Sequence, residues 1–532
     1  MISLEKISRS EWVWVVVVSV LFVSLINLPY LYGWLHTPAG SFFTGMTTIS
    51  HYDTYTYLAW FEQARQGNFF FVNLYSTELQ SALFFHPFFY VLGVLGHFST
   101  LSNIVIYHVG KMFVGMLFLS SLYLFISDFI KNVTARQLTF VITIVSSGVG
   151  LFLSPLSTDM WMVESNTFLS LYMSPLNLIS LTLILLIFHI STNLFHSSRR
   201  MVVLLPALLL GVLVIIHPYD LAIVTSVLFV YVLVQTFKTK NYFWLRNYLY
   251  LIILVLPFAL WQVNILNINP VLGVWDTIQT NVPSYAWYYF LSGYGFLLVF
   301  AFVGISNMSI NKDIQRILFL LIWILVIPFL LYFPLLVRFQ RKFSEGLHIP
   351  IAILASMGLV WFLQESGLKN KLLKHFVVLS LISLLALTNV WRLYQDMQFF
   401  KAGEPPFYLD EGIYAGAIWL KHNTEPKSIV ISSLVSSNII PGIAGRKVFV
   451  GTGDQTLDYG LKSEIVTGML GSKINNSDPL KFFLRQEDID YIFEDADVRL
   501  LGGLDTTARH YLRVVYENSD VKIYQVDQNN LD

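Results

Sequence analysis

The sequence predicts a mainly α protein, a polytopic transmembrane helical bundle of about eleven spans followed by a soluble α/β domain, and three observations predict it. Of 532 residues, 55% are hydrophobic and only 12% charged, whereas an average soluble domain carries about 25% charge. A soluble globular chain is thereby excluded. The charge is also unevenly placed: residues 1–392 hold 20 Lys/Arg and 13 Asp/Glu, while residues 393–532 hold 13 and 20. Finally, the apolar residues of the first part fall into runs close to the 20 or so residues that a span needs. These observations separate a membrane region, 1–392, from an acidic soluble domain, 393–532. The 33 basic and 33 acidic residues cancel, so no global basic field exists to bind nucleic acid. Cysteine is absent, which excludes disulfides, thiolate metal sites and cysteine nucleophiles.

The first apolar run, 12–35, is too long for a signal-peptide core and lacks a small-residue cleavage site, so it is expected to remain as an anchor. Further spans are predicted at 104–127, 137–153, 168–190, 201–217, 218–236, 243–265, 288–307, 316–337, 346–363 and 371–391. The stretch 83–98 is short and contains Pro87, which predicts a re-entrant or interfacial helix. Lys6/Arg9, Lys131/Arg136, Arg199/Arg200, Lys238/Lys240/Arg246, Lys312/Arg316 and Lys369/Lys371/Lys374 fall in alternate connections. Because cytoplasmic loops retain Lys and Arg, this pattern places the N-terminus inside and the last domain outside a cell membrane. Arg338, Arg341 and Lys342 break the pattern, lying on the outer side, where they need compensating negative charge. The first outer loop, 36–103, is the longest, and long loops are where a site can be built. No internal repeat is present, which weighs against an inverted-repeat transporter.

In the soluble domain, an amphipathic helix at 411–423 precedes short apolar runs at 429–431, 448–450, 491–493, 512–516 and 521–524. Strands alternating with helical or Gly-rich segments predict a small α/β sandwich, its last two strands forming a hairpin across 517–520. No Gly-x-Gly-x-x-Gly or Walker sequence follows any of these strands, so nucleotide binding has no support.

The candidate chemistry lies on the outer face. The first loop carries Ser50-His51-Tyr52-Asp53-Thr54-Tyr55. A carboxylate just beyond a span, among hydrogen-bonding tyrosines and a histidine, suits a general base; equally, Asp53 suits the N-cap of a helix starting at Thr54. Asp159 and Glu164, with His51 and the His217-Pro218-Tyr219-Asp220 turn, are candidates for binding an acceptor or a divalent metal ion, since hard cations take carboxylate oxygens and histidine can join them. Pro218 and Asp220 also suit a tight turn that starts a helix. Lys111 stands about eight residues into the second span, where an ammonium is costly unless it faces a partner or a wet cavity, or reaches the interface along its own stem. With Arg338, Arg341 and Lys342 it forms a set of four cations on one side, and a lipid phosphate is the simplest common partner, because arginine matches phosphate oxygens with a two-pronged fork.

Together the acidic motif after the first span, the helix at 84–98 with His86-Pro87, the segment 164–175, His217-Pro218-Tyr219-Asp220, and 338–345 opening into an apolar span resemble the GT-C superfamily of membrane glycosyltransferases. The resemblance implies a polyprenyl-phosphate-linked sugar as donor, a glycan, lipid or protein acceptor, membrane lipids as surroundings, and Asp53 as the base. Asp53 stands singly where many members have two acids. Asp458-Tyr459-Gly460 resembles the end of the tryptophan-rich motif of oligosaccharyltransferases, but the tandem tryptophans are missing, so transfer of a whole oligosaccharide to asparagine is not expected. Two other classes compete: a transporter or flippase of lipid-linked glycans, which should place charges near the bilayer midplane, and a noncatalytic scaffold, in which no outer acid matters.

Overall fold

The computed structural model describes residues 7–531 apart from 270, 275–282, 308–312, 334–338, 368–369, 473–477 and 505–506, with the backbone alone at 313–316. Among these, eight helices are long and apolar enough to cross a membrane, and the pair Trp287–Tyr294 and Phe296–Ser306, bent by 80°, makes a ninth candidate. Two shorter apolar helices, Arg200–Ile216 and Ile317–Tyr332, occupy the remaining segments where hydropathy predicts a span.

Several spans are broken, and each break is held by side chains. Helix α1 (Arg9–Ile26) starts with a Ser8–Glu11 capping box and ends at Asn27, whose Nδ2 donates to the Val23 carbonyl at 2.7 Å. Helix α2 (Leu28–Leu35) follows, so the predicted first span is two helices. The third segment is interrupted after Val145, and the backbone groups freed there are taken up by the long helix Lys371–Ala402. Asn389 donates to the Val145 carbonyl at 2.9 Å, and the Ser147 N–H donates to the Leu385 carbonyl at 2.8 Å. The fourth segment divides at Ser174 into Thr167–Met173 and Pro175–Leu194, because Pro175 has no N–H to continue the helix and disfavours helical backbone in the residue before it. Arg136 is buried and pairs with Glu11 of α1 at 2.7 Å, and Tyr123 donates to the same carboxylate at 2.8 Å. Arg136 is therefore a packed ion-pair member rather than an exposed loop charge.

The bent helix Phe296–Ser306 lies against His348–Glu365 at backbone distance. A Cβ on Gly358 would stand 2.0 Å from the Phe300 carbonyl oxygen, and one on Gly304 would stand 2.5 Å from that of Leu354. Backbone cannot yield as a side chain can, so Gly358→Val is expected to destabilise by about 1–3 kcal/mol or more. A thermal melt of the purified variant in detergent checks this; a melting temperature equal to wild type would show that the two helices separate without cost.

Chain contacts divide the molecule into two compact units, the first comprising 1–29, 110–263 and 279–396 and the second 30–109, 264–278 and 397–532. The sequence reading placed one boundary at 392/393. The structure instead joins residues 30–109 to the C-terminal residues, for two physical reasons. Strand β1 (Ser41–Phe43) pairs antiparallel with β2 (Tyr408–Asp410), and helix α3 (His51–Arg65) packs on the helix Leu434–Ala444. There a Cβ on Gly442 would stand 2.9 Å from Leu58. Within this second unit, β3 (Ile429–Ser432), β4 (Lys447–Val448), β5 (Tyr491–Glu494), β6 (Leu512–Glu517) and β7 (Lys522–Val526) form one sheet in the order β4-β3-β5-β7-β6. Strand β3 runs parallel to both neighbours, whereas β5–β7 and β7–β6 are antiparallel. The predicted hairpin is β6–β7, with Glu517 opposite Lys522. Ile431, Ile492, Leu484, Val498 and Tyr524 lie in the core that the sheet shares with its helices. The predicted interfacial helix is α4 (Pro87–His97), with Pro87 at its first position, where the missing N–H costs nothing.

Candidate functional site

In the first unit three segments bring seven of the described charged or titratable side chains together. The first is the short turn Val163–Ser165, carrying Glu164. The second is the junction between Leu204–Ile216 and Asp220–Thr239, carrying His217, Tyr219 and Asp220. The third is the turn Gln340–Ser344 with the residue after it, carrying Arg341, Lys342 and Glu345. Lys342 Nζ lies 3.6 Å from Glu164, 3.3 Å from the Tyr219 hydroxyl and 4.9 Å from the centre of its ring. From Tyr219 a directional chain runs inward. The phenol bonds His217 Nε2; Nδ1 of His217 bonds Asp220 Oδ2 at 2.5 Å, and Ser180 donates to the same oxygen. Asp220 is fully buried, so its charge is tolerated only because these donors reach it. Glu345, also fully buried, accepts from Asn177 Nδ2 at 2.5 Å.

This arrangement answers how Arg341 and Lys342 are compensated: the chain supplies carboxylates of its own. Burial pushes the Glu164 carboxyl upward, but the charges of Lys342, Arg341 and His217 outweigh it and hold the group below its ordinary value. Three acids nevertheless face only two described cations and a histidine, and Lys342 keeps its ammonium at the partly exposed edge. Among the described residues, no group of three or more His, Asp or Glu could hold a metal ion. Both ring nitrogens of His217 are already engaged by Asp220 and Tyr219, so this histidine does not fit the metal-ligand role that its sequence position allowed.

Lys111 and Asp159 are placed differently from the sequence expectation. Lys111 is buried and donates to the Tyr172 carbonyl at 2.7 Å. That carbonyl lies near the end of the helix interrupted at Ser174, where an unpaired C=O and the negative end of the dipole favour a cation. Its observed contact is thus with the protein's own backbone. Asp159 accepts from the backbone N–H groups of Gly148 and Gly150 at 2.8 and 3.3 Å and from the Ser157 hydroxyl. It braces the break after Val145, and burial pushes its carboxyl up to about 6 in spite of these bonds. Arg338 lies outside the described residues.

His51 and Asp53 belong to the second unit. Helix α3 begins at His51, with left-handed Ser50 before it and no side-chain cap. Asp53 is therefore an exposed residue of the first turn and not the N-cap of a helix starting at Thr54. The buried acid of the same helix is Glu62, 0% exposed, which accepts from Asn103 at 2.6 Å and pairs with Lys421 at 2.7 Å. Sequence reasoning passed over Glu62, Glu345, Asn177 and Ser180 as functional candidates. Glu62 had a signal: it is an acid within the apolar-rich run Leu58-Ala59-Trp60-Phe61 and Ala64.

No family model matches the chain, and no curated protein matches it. Solved structures do. ArnT from Cupriavidus metallidurans bound to undecaprenyl phosphate aligns with a TM-score of 0.56 at 12% identity, over 97% of this chain and 98% of that one. The same protein in the apo state gives 0.49 at 14% identity, over 96% and 98%. Archaeal oligosaccharyltransferase AglB from Archaeoglobus fulgidus, in complex with an inhibitory peptide and a dolichol-phosphate, gives 0.47 at 14% identity, over 90% and 70%. The fold is similar to that of ArnT, a multi-pass helical bundle followed by a small α/β domain.

Proposed function

We propose that this chain is a membrane glycosyltransferase that moves one sugar from a polyprenyl-phosphate donor to an acceptor hydroxyl on the outer face of the membrane. The observation that carries the reading is the meeting of Arg341, Lys342 and Tyr219 at one edge of a GT-C fold. Two cations and a hydroxyl, positioned by buried partners, suit a phosphate, and placed donors of this kind stabilise charge developing on a leaving group by several kcal/mol. Arg338, Arg341 and Lys342 are assigned to the donor phosphate, and Asp53 takes the acceptor proton. His217 and Asp220 orient Tyr219, while Glu164 sets how strongly Lys342 attracts an anion.

In vesicles loaded with a labelled polyprenyl-phosphate sugar, the transferase reading expects label to leave the lipid and free polyprenyl phosphate to accumulate. A flippase expects label to cross the bilayer with its lipid bond intact, and that result would overturn the reading. The outer-face assignment rests on the alternation of basic loops. Reporters fused at Lys240 and after Asp532 are expected in opposite compartments, and finding both in one would reverse it.

A further inference from the structure

The second unit contains a cavity of about 480 Å³ enclosed by α3, the end of α4 and the segment after it, the strand pair β1–β2, and the helices Glu411–Asn423 and Leu434–Ala444. This volume lies within the roughly 300–1,000 Å³ of small-molecule sites. Its walls are mostly apolar and aromatic, and Phe42 and Tyr414 stack at 4.0 Å on one side. Glu62 is the single acid of the lining, against Arg65, Lys421, His97 and His422. Lys421 neutralises Glu62. Arg65 bonds three neutral oxygens, those of Leu101, Ser99 and Asn103, so its positive charge is solvated but not cancelled.

The rim has a second property. His97, Thr100 and Leu101 line the cavity, and the helix that leads to them exposes Val91, Val94, Leu95 and Phe98, the last 84% exposed, with Leu101 beyond. Positions 91, 94, 95 and 98 follow the i, i+3, i+4, i+7 spacing of one helical face. An exposed apolar face of this kind suits contact with lipid.

We propose that the cavity binds an anionic lipid, with the acidic headgroup drawn to Arg65 and its neighbouring cations and the chain lying along the exposed stripe of α4. An excess of positive charge calls for a negative ligand, the apolar walls call for an amphiphile, and a mouth rimmed by lipid-facing residues admits one directly from the membrane. Sugar transfer is not required for this binding, so failure of the transferase reading and failure of this site are separable.

The test is titration of the full-length protein in detergent with short-chain phosphatidylglycerol, phosphatidylcholine of equal chain length, and glycerol 3-phosphate. Phosphatidylglycerol is expected to bind at least about tenfold more tightly than either, the size expected for one charge-assisted contact. Ile418→Trp, which fills the cavity from the wall and leaves every charge in place, is expected to abolish that preference while thermal unfolding stays at the wild-type value. Arg65→Gln is expected to weaken phosphatidylglycerol by at least about tenfold and to leave phosphatidylcholine unchanged. Equal affinity for the two lipids would overturn the proposal, as would wild-type binding by a folded Ile418→Trp. Glycerol 3-phosphate binding as tightly as the lipid would identify a soluble anion as the occupant and overturn it as well.

Discussion

Replacing Asp53 by asparagine is expected to remove nearly all sugar transfer while leaving a folded protein that still binds donor lipid. The side chain stands in the first turn of α3, exposed, where a negative charge near the helix N-terminus contributes about 0.3–1 kcal/mol. Asparagine keeps the shape and loses that small electrostatic contribution, but it cannot accept a proton. A positioned general base contributes about 10²–10⁴-fold in rate, so the kinetic loss far exceeds any stability loss. Initial rates with a labelled donor, set beside a melting curve and a donor titration, separate the two effects. A variant retaining more than about a tenth of wild-type transfer would reject Asp53 as the base, since even the low end of that range predicts a larger loss. Glu164 would then be the next acid to test. Asp159, whose oxygens accept from Gly148, Gly150 and Ser157, is committed to the backbone around it.

The second large effect concerns the cations assigned to the donor, and its strength is an opposition of signs. Lys342→Gln removes a charge at the edge of the cluster and is expected to slow transfer by about 10²-fold or more, the usual loss for one positioned donor to a developing negative charge. Glu164→Gln does the reverse. It releases Lys342 from a carboxylate 3.6 Å away and is expected to tighten donor binding by up to about fivefold, because a partly exposed pair of this kind is worth about 0.2–1 kcal/mol. Arg341→Lys and Arg338→Lys keep the charge and lose the fork, so both are expected to weaken donor binding. Affinities measured in detergent, away from the bilayer's own surface potential, decide the matter. If Glu164→Gln weakened the donor as much as Lys342→Gln, the cluster would be a structural ion pair, and the donor phosphate would have to be held elsewhere.

By itself the sequence determined the quantities that add up along the chain. Mean composition and run length predicted the apolar segments, whose described residues are mostly helical, because removing about 20 consecutive residues from water leaves helix as the local solution for their backbone groups. Pro87 and the brevity of its apolar run predicted α4, and the β-branched runs on either side of 517–520 predicted the β6–β7 hairpin. Only the tertiary structure decided partnership. Which carboxylate compensates Lys342, which carbonyl receives Lys111, and that Glu62 rather than Asp53 is the buried acid of α3 are settled by elements that meet from distant parts of the chain. The physical reason is that burial of apolar surface is non-directional and legible as a pattern, whereas a buried charge is tolerated only with a specific partner at hydrogen-bonding distance. Residue spacing along the chain carries no record of that distance. The break after Val145 follows the same logic: two serines and a glycine permit it, but Asp159 and the helix Lys371–Ala402 hold it in place.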